Sequence, residues 1–315
     1  MFVDILITTY KREEDLLVLL KNLEKQSFHN FQVQIFDGTP GDNVKKSINE
    51  YIRNRKKSLF TVIYHKTTHG MTRQRNIAVE NTTGDVSIFL DDDVELFPDY
   101  LAEVIKVFTA DTKIQIAGLN GFDMREIPAS GKRKLGKRKK IYRLIGLLPD
   151  IGPAKYLPWG HGTPHFNNLK SGTENVDLLI GHNMAFRTKI LKQFKFDKFF
   201  EQYDTYVLYD DQDICLRLKE EGYKLVLCHD AKLVHNVSQH GRPAHSHYGF
   251  QAFYNAHRNW NLFGSKKPIH KLKFWMWEFL DILFQLFNNK TREMSKGRLK
   301  IFIKTIYNYK LKNIS

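Results

Sequence analysis

The sequence predicts an α/β protein built on a mostly parallel sheet flanked by helices, with a C-terminal helical extension, and two observations point to the sheet. Up to about residue 118, short runs rich in β-branched and aromatic residues alternate with segments of helical period, the pattern of a parallel sheet covered by helices. The run Val86-Ser87-Ile88-Phe89-Leu90 is too short and too β-rich for a helix, and it ends in three consecutive carboxylates, Asp91-Asp92-Asp93. The carboxyl ends of strands are where open α/β sheets form their ligand crevices.

The expected strands are Val3 to Thr8, Phe31 to Phe36, Phe60 to Tyr64, Val86 to Leu90 and Ile114 to Ala117. Between them, Glu13 to Lys25 carries Leu16, Leu17, Leu19, Leu20 and Leu23 at helical spacing, and Asn43 to Arg55 and Met71 to Glu80 also fit helices. Gly131 to Lys140 is nearly all basic, the stretch from Gly131 to Arg143 fits a solvated loop, and Pro149 to Pro164 is rich in Pro and Gly. Regular structure resumes with strands at Val176 to Ile180 and Asn183 to Arg187, a helix over Asp211 to Glu221, and a strand from Lys224 to Leu227. A domain is therefore expected over residues 1–245, followed by a basic, aromatic extension over 246–315.

Within that extension, Phe274 to Phe287 is apolar except for Glu278, Asp281 and Gln285, which fall on one narrow helical stripe and leave a wide apolar face to be covered. Leu299, Phe302, Ile303 and Ile306 then repeat at helical spacing among lysines, as in a basic amphipathic surface helix. Membrane contact, packing on the rest of the chain, and a second copy of the protein all fit this pattern.

Net charge is +15, which favours anionic partners without choosing among nucleotides, phospholipid and nucleic acid. Two cysteines, Cys215 and Cys228, make neither a disulfide framework nor a zinc site, so a cytoplasmic location is the default, with the inner membrane face as a peripheral alternative. The opening Met1 to Thr8 reads as a first strand rather than a leader, and no run of about 18 uncharged apolar residues suggests a membrane span.

The Asp triplet carries the chemistry. Adjacent carboxylates repel by about 4 kcal/mol per close pair at an effective dielectric of about 20, so positive charge is expected beside them. Oxygen ligands of this kind suit Mg²⁺ or Mn²⁺ held jointly with a substrate's phosphates. A solvated acidic turn before the helix expected near Pro98 is the plain alternative.

Further blocks join the triplet: Ile7 to Arg12, Phe36-Asp37-Gly38-Thr39, Arg73-Gln74-Arg75-Asn76, Gly181 to Arg187, and Tyr209-Asp210-Asp211-Gln212-Asp213. Together they resemble glycosyltransferase family 2, nucleotide-sugar glycosyltransferases of the GT-A fold, over roughly residues 2 to 240. The resemblance implies that Thr8 and Tyr10 hold the nucleotide base and that Asp37 accepts a hydrogen bond from uracil or thymine, although Asp37-Gly38 also fits a tight turn. Phe36 departs from the family pattern, replacing the first acid of a pair. Arg75 is implied near the diphosphate, Asp93 on the metal, Asp92 near ribose or metal, and Asp91 in support.

In the second acidic cluster Asp210 replaces the family's Glu, and Asp211 is the implied base for the acceptor hydroxyl; acids in a first helical turn also simply favour the helix dipole. His235 matches a histidine that reaches the metal in some members. Gly181, His182 and Asn183 are expected between donor sugar and acceptor, with Trp159 as a sugar-stacking platform. His240, His245 and His247 show no ligand spacing.

The implied activity is inverting, metal-dependent transfer of a hexose-type sugar from a UDP- or dTDP-sugar to a glycan or lipid-linked glycan. Two rivals remain: a metal-dependent nucleotidyltransferase, and a basic nucleic-acid-binding protein, which the chain fits in charge but for which it lacks a reader motif.

Overall fold

The computed structural model describes residues 1–55, 59–126, 136–166, 168–238 and 244–312, with the side chains of 126 and 308–312 outside that description. Residues 131–135 of the basic run, and His240, lie outside the described residues. Two compact units are present: Met1–Arg133 with Pro164–Tyr206 and Asp210–Gly241, and Lys134–Thr163 with Val207–Tyr209 and Arg242–Ser315. The division is thus not a single cut near residue 245, because 134–163 and 207–209 group with the C-terminal helices.

The strands are β1 (Val3–Thr9), β2 (Phe31–Asp37), β3 (Thr61–Lys66), β4 (Val86–Asp91), β5 (Val94–Leu96), β6 (Ile116–Asp123), β7 (Thr173–Val176), β8 (Asn183–Arg187) and β9 (Lys224–His235). The helices are α1 (Glu13–Leu23), α2 (Asn43–Asn54), α3 (Met71–Asn81), α4 (Tyr100–Ala110), α5 (Lys137–Leu144), α6 (Thr188–Phe194), α7 (Asp210–Glu220), α8 (His245–Phe263), α9 (Pro268–Leu286) and α10 (Arg292–Lys312).

The first unit is a single sheet in the order β3-β2-β1-β4-β8-β6-β9-β5, with β7 also on β9. Strands β1, β2, β3, β4, β6 and β9 run one way; β5, β7 and β8 run against them. β1 and β4 are almost wholly buried, as apolar runs covered on both faces should be. Their register sets Thr8 beside Asp91, and Thr9 beside Asp37 on β2, so three of the sequence blocks end at one edge of the sheet. At the other end of β1, buried Asp4 accepts bonds from the Thr82 hydroxyl, the Thr83 and Gly84 backbone N–H groups and Gln32. Burial alone would raise its pKa, but these four donors together hold it below the usual carboxylate value.

The strand expected over Lys224 to Leu227 runs on to His235, β1 to β4 differ from their expected bounds by one or two residues at an end, and two other strands shift. The one placed at Ile114 starts at Ile116 and runs on to Asp123, because Ile114 adopts φ 52° and the Asp111 carboxylate takes the Gln115 and Ile116 N–H groups. The one placed at Val176 to Ile180 ends at Val176; beyond it, Leu179 N–H goes to Cys215 Sγ and Ile180 N–H to the Asn120 side chain instead of to a neighbouring strand.

In the second unit, Tyr142, Trp159, Phe253, Trp260, Phe274, Trp277 and Ile301 form an aromatic core. Helices α8 and α10 meet backbone to backbone at Gly249 and Gly297, where an added Cβ would strike Met294 and Ser246. The polar stripe of α9 faces inward. Glu278 is 0% exposed, and Asp281 and Gln285 are also buried, whereas Phe279 is 51% exposed. Buried Arg298 of α10 compensates the acids, lying 3.1 Å from Glu278 and 2.8 Å from Asp281. His161 reaches Glu278 at 2.8 Å, and the Tyr142 hydroxyl donates to Asp281 at 2.5 Å. Among the described residues, no helix is long and apolar enough to cross a membrane.

Candidate active site

The site is assembled in the first unit where β1, β2 and β4 end and α3 and α7 begin. Its centre is Arg75. From α3, this buried guanidinium donates from Nη1 to both oxygens of Asp210 at 3.0 Å, lies 3.9 Å from Asp91, and donates to the Gly181 carbonyl at 3.2 Å. Two acidic clusters nearly 120 residues apart in sequence are therefore joined through one cation.

Asp210 is buried and also accepts from the Thr72 hydroxyl, so it holds Arg75 rather than presenting free oxygens. Asp211 is half-buried and accepts from the Gly181 N–H at 3.0 Å and the Gln212 N–H at 2.8 Å. A Cβ at Gly181 would lie 2.9 Å from Arg75 Nη2 and 3.4 Å from Asp211, so a larger residue there would push against the Arg75 guanidinium. Burial, then the neighbouring Asp210 charge, pushes the Asp211 carboxyl up to about 6, against the pull of Arg75 and the two N–H groups.

The positive charge demanded by the triplet comes partly from Arg12, the last residue of the Ile7 to Arg12 block. It donates to Asp92 at 2.9 Å and lies 3.4 Å from Asp93. Thr9, rather than its neighbour Thr8, donates to Asp92 at 2.7 Å. Even so, burial carries Asp92 up to about 7. Asp93 goes the other way, to about 2: burial opposes ionisation, but His235, 3.1 Å from Asp93, and the Ser238 N–H outweigh it.

Asp91, Asp93 and His235 bring ligand atoms within 4.8 Å of one another. Two carboxylates and an imidazole fit a divalent cation, and the arrangement leaves Asp92 to Arg12 and Thr9. His182, between Gly181 and β8, is buried, stacks on His235 with ring centroids 4.3 Å apart, and approaches Asp123 of β6 at 4.0 Å. Burial, then the charges of His235 and His165, keeps its pKa well below the usual imidazole value.

The remaining expected residues fall as follows. Asp37 is buried, accepting from the Thr39 N–H at 2.7 Å and the Tyr64 hydroxyl at 2.7 Å, with Lys66 at 3.3 Å; it fixes the turn after β2. Tyr10 has one face against the His69 ring, 3.5 Å between centroids, and Thr8 is half-buried beside it. Asn183 is fully buried and accepts from the Gly121 N–H at 2.6 Å, pinning β6 to β8. Trp159 belongs to the second unit, in the aromatic core with Lys273 4.3 Å over its ring.

The sequence model described as "Glycosyl transferase family 2" matches residues 4–194, well over half of the chain. The chain belongs to glycosyltransferase family 2. Its relatives include an "Uncharacterized glycosyltransferase" of Haemophilus influenzae, 28% identical over 110 residues that make up 35% of each chain. Another is the amylovoran biosynthesis glycosyltransferase AmsB of Erwinia amylovora, 21% identical over 71% of this chain. The chain spans 35% of the first relative and 65% of the second.

Among solved structures, the mannosyltransferase PcManGT of Pyrobaculum calidifontis, in complex with GDP-Man and Mn²⁺, superposes with a TM-score of 0.55 at 15% identity, over 99% of this chain and 80% of that one. S. aureus TarS 1–349, in complex with UDP-GlcNAc, gives 0.55 at 15% identity over 96% and 81%. These likenesses establish a GT-A fold for this family 2 member. Family membership favours the glycosyltransferase reading over the nucleotidyltransferase and the nucleic-acid-binding protein.

Proposed function

We propose that this chain is an inverting, divalent-cation-dependent glycosyltransferase that moves a sugar from a UDP- or dTDP-sugar to a hydroxyl of a surface glycan or its lipid-linked precursor. The observation that supports the proposal is Arg75 bridging Asp91 and Asp210, with a candidate metal-binding cluster on one side of it and a candidate base on the other.

Asp91, Asp93 and His235 would hold Mn²⁺ or Mg²⁺, whose Lewis acidity would offset charge developing on the departing diphosphate. Arg12 and Arg75 keep the acids in place, and Arg75 adds a fixed positive charge close to where that diphosphate would lie. Asp211, its orientation fixed by the Gly181 N–H, removes the proton from the acceptor hydroxyl as the new bond to the sugar's anomeric carbon forms and the bond to the diphosphate breaks. One in-line displacement inverts that carbon, and no covalent intermediate is needed. Tyr10 and the turn shaped by Asp37 would receive the base.

The test is a panel of nucleotide sugars assayed for nucleoside diphosphate release with Mn²⁺ and with chelator. Release from a UDP- or dTDP-sugar that stops with chelator is expected. Release of pyrophosphate from a nucleoside triphosphate instead would overturn the reading.

A glycan under construction on a lipid carrier would place the acceptor at a membrane, and the second unit offers a matching surface. Ile269, Leu272 and Phe279 of α9, Phe287 after it (81% exposed), and Leu299 and Ile303 of α10 are exposed, alongside exposed Lys296, Lys300 and Lys304. This composition suits an anionic bilayer, where each Lys or Arg adds about 1 kcal/mol. Flotation with vesicles containing anionic lipid should carry the protein upward, and neutral vesicles should carry much less. Equal recovery in the soluble fraction with both would remove membrane contact, and a stable dimer in sedimentation would assign the face to a second copy.

A further inference from the structure

We propose that Asp123, His182 and His235 form a second, nucleotide-independent site for a transition-metal cation, adjoining the Asp91–Asp93–His235 cluster and sharing His235 with it. It goes beyond the transfer reaction above, which uses neither Asp123 nor His182.

Three observations lead to it. Ligand atoms of Asp123, His182 and His235 all lie within 4.8 Å of one another, as do those of Asp91, Asp93 and His235. His182 is 4% exposed, and its Nε2 has no hydrogen-bond partner, although it sits 4.0 Å from a carboxylate oxygen of Asp123. Buried polar nitrogens are almost always satisfied, so an orphan aimed at a carboxylate calls for an occupant. Finally, the backbone of the trio is fixed. The Asp123 carboxylate accepts from the Arg125 and His235 N–H groups, and the His182 carbonyl from the Asp91 N–H, so these side chains are held for binding instead of being gathered by it.

The donor set determines the ligand class. Two imidazoles and one carboxylate favour Mn²⁺, Co²⁺ or Zn²⁺, whereas Mg²⁺ prefers oxygen and keeps its waters. Because His235 belongs to both trios, the two positions compete for it. The site then acts as a resting position, retaining a transition metal while no nucleotide diphosphate is present to complete the coordination at Asp91 and Asp93.

The probe is Co²⁺ alone, titrated into the full chain without nucleotide and followed by visible absorption, in the Asp91→Asn background so that the first cluster is crippled. One Co²⁺ equivalent is expected to bind, with affinity falling at least tenfold when His182→Gln is added. Asp123→Asn, which keeps an oxygen for the two N–H groups, should give the same loss and serves where His182→Gln lowers the melting temperature. Absence of Co²⁺ binding in Asp91→Asn, or unchanged affinity in both added variants, would overturn the proposal. Calorimetric binding of UDP with Mn²⁺ to His182→Gln separates the two readings: retained nucleotide binding with Co²⁺ affinity unchanged by the substitution sinks this inference and leaves the transferase reading standing.

Discussion

Asp211→Asn is expected to lower sugar transfer by about 10²–10⁴-fold, the usual contribution of a positioned general base. The amide is isosteric and still offers an oxygen to the Gly181 N–H, so the turn before β8 should persist and the loss should appear in kcat. A pH profile makes the role specific. A base acts only when unprotonated, and this carboxyl is raised to about 6 by burial and by Asp210. In the native protein kcat/KM should therefore be level above that pH and fall about tenfold per unit below it, while the variant's residual rate should lack this limb. Full transfer by Asp211→Asn would move the base elsewhere.

The largest expected effect on stability is in the second unit. Arg298→Met should destabilise it by about 3–5 kcal/mol, because the substitution leaves two buried carboxylates, Glu278 and Asp281, without their shared guanidinium. His161 and Tyr142 still approach them without a permanent charge, and Arg138, 3.1 Å from Asp281, is 42% exposed, so Glu278 bears most of the loss. Urea unfolding followed by circular dichroism reads the change as a lower midpoint. Adding Glu278→Gln and Asp281→Asn to Arg298→Met should recover part of it by removing the stranded charge. An unchanged midpoint in Arg298→Met would mean that the cluster is solvated in solution.

This cluster also marks the limit of what sequence patterning conveys. The stripe of Glu278, Asp281 and Gln285 was legible as a stripe, but its direction was not, since a helix with one polar seam can turn that seam outward to water or inward to a partner. Arg298, 17 residues away, settles the direction. The sheet was read more directly, because strands covered on both faces are nearly continuous apolar runs; β8 matches its expected bounds residue for residue.

Within the site, the triplet stood out because three acids end an apolar strand, whereas Arg75, inside α3, and Asp210 and Asp211, opening α7, took their roles from the family resemblance. Arg12 and Thr9 belong to the Ile7 to Arg12 block but carried no role of their own there, since which of several neighbouring polar side chains points at the triplet depends on the twist of the chain leaving β1, where Lys11 has φ 56°. Asp123 gave no signal: a single acid ending an apolar strand acquires meaning only when β6, β8 and β9 lie side by side. Asn183 was visible as part of a block, yet its side chain ties two strands together, a purpose that becomes apparent only from the Gly121 contact.

The central claim is a division of labour between acids that meet across Arg75, one group gripping the cation and nucleotide, the other taking the proton. Calorimetric titration of UDP with Mn²⁺ into the native chain, Asp93→Asn and Asp211→Asn tests it most directly. Asp93→Asn is expected to lose metal-dependent nucleotide affinity by tenfold or more, while Asp211→Asn should bind as the native chain does. Equal loss in both variants, or undiminished binding by Asp93→Asn, would contradict it.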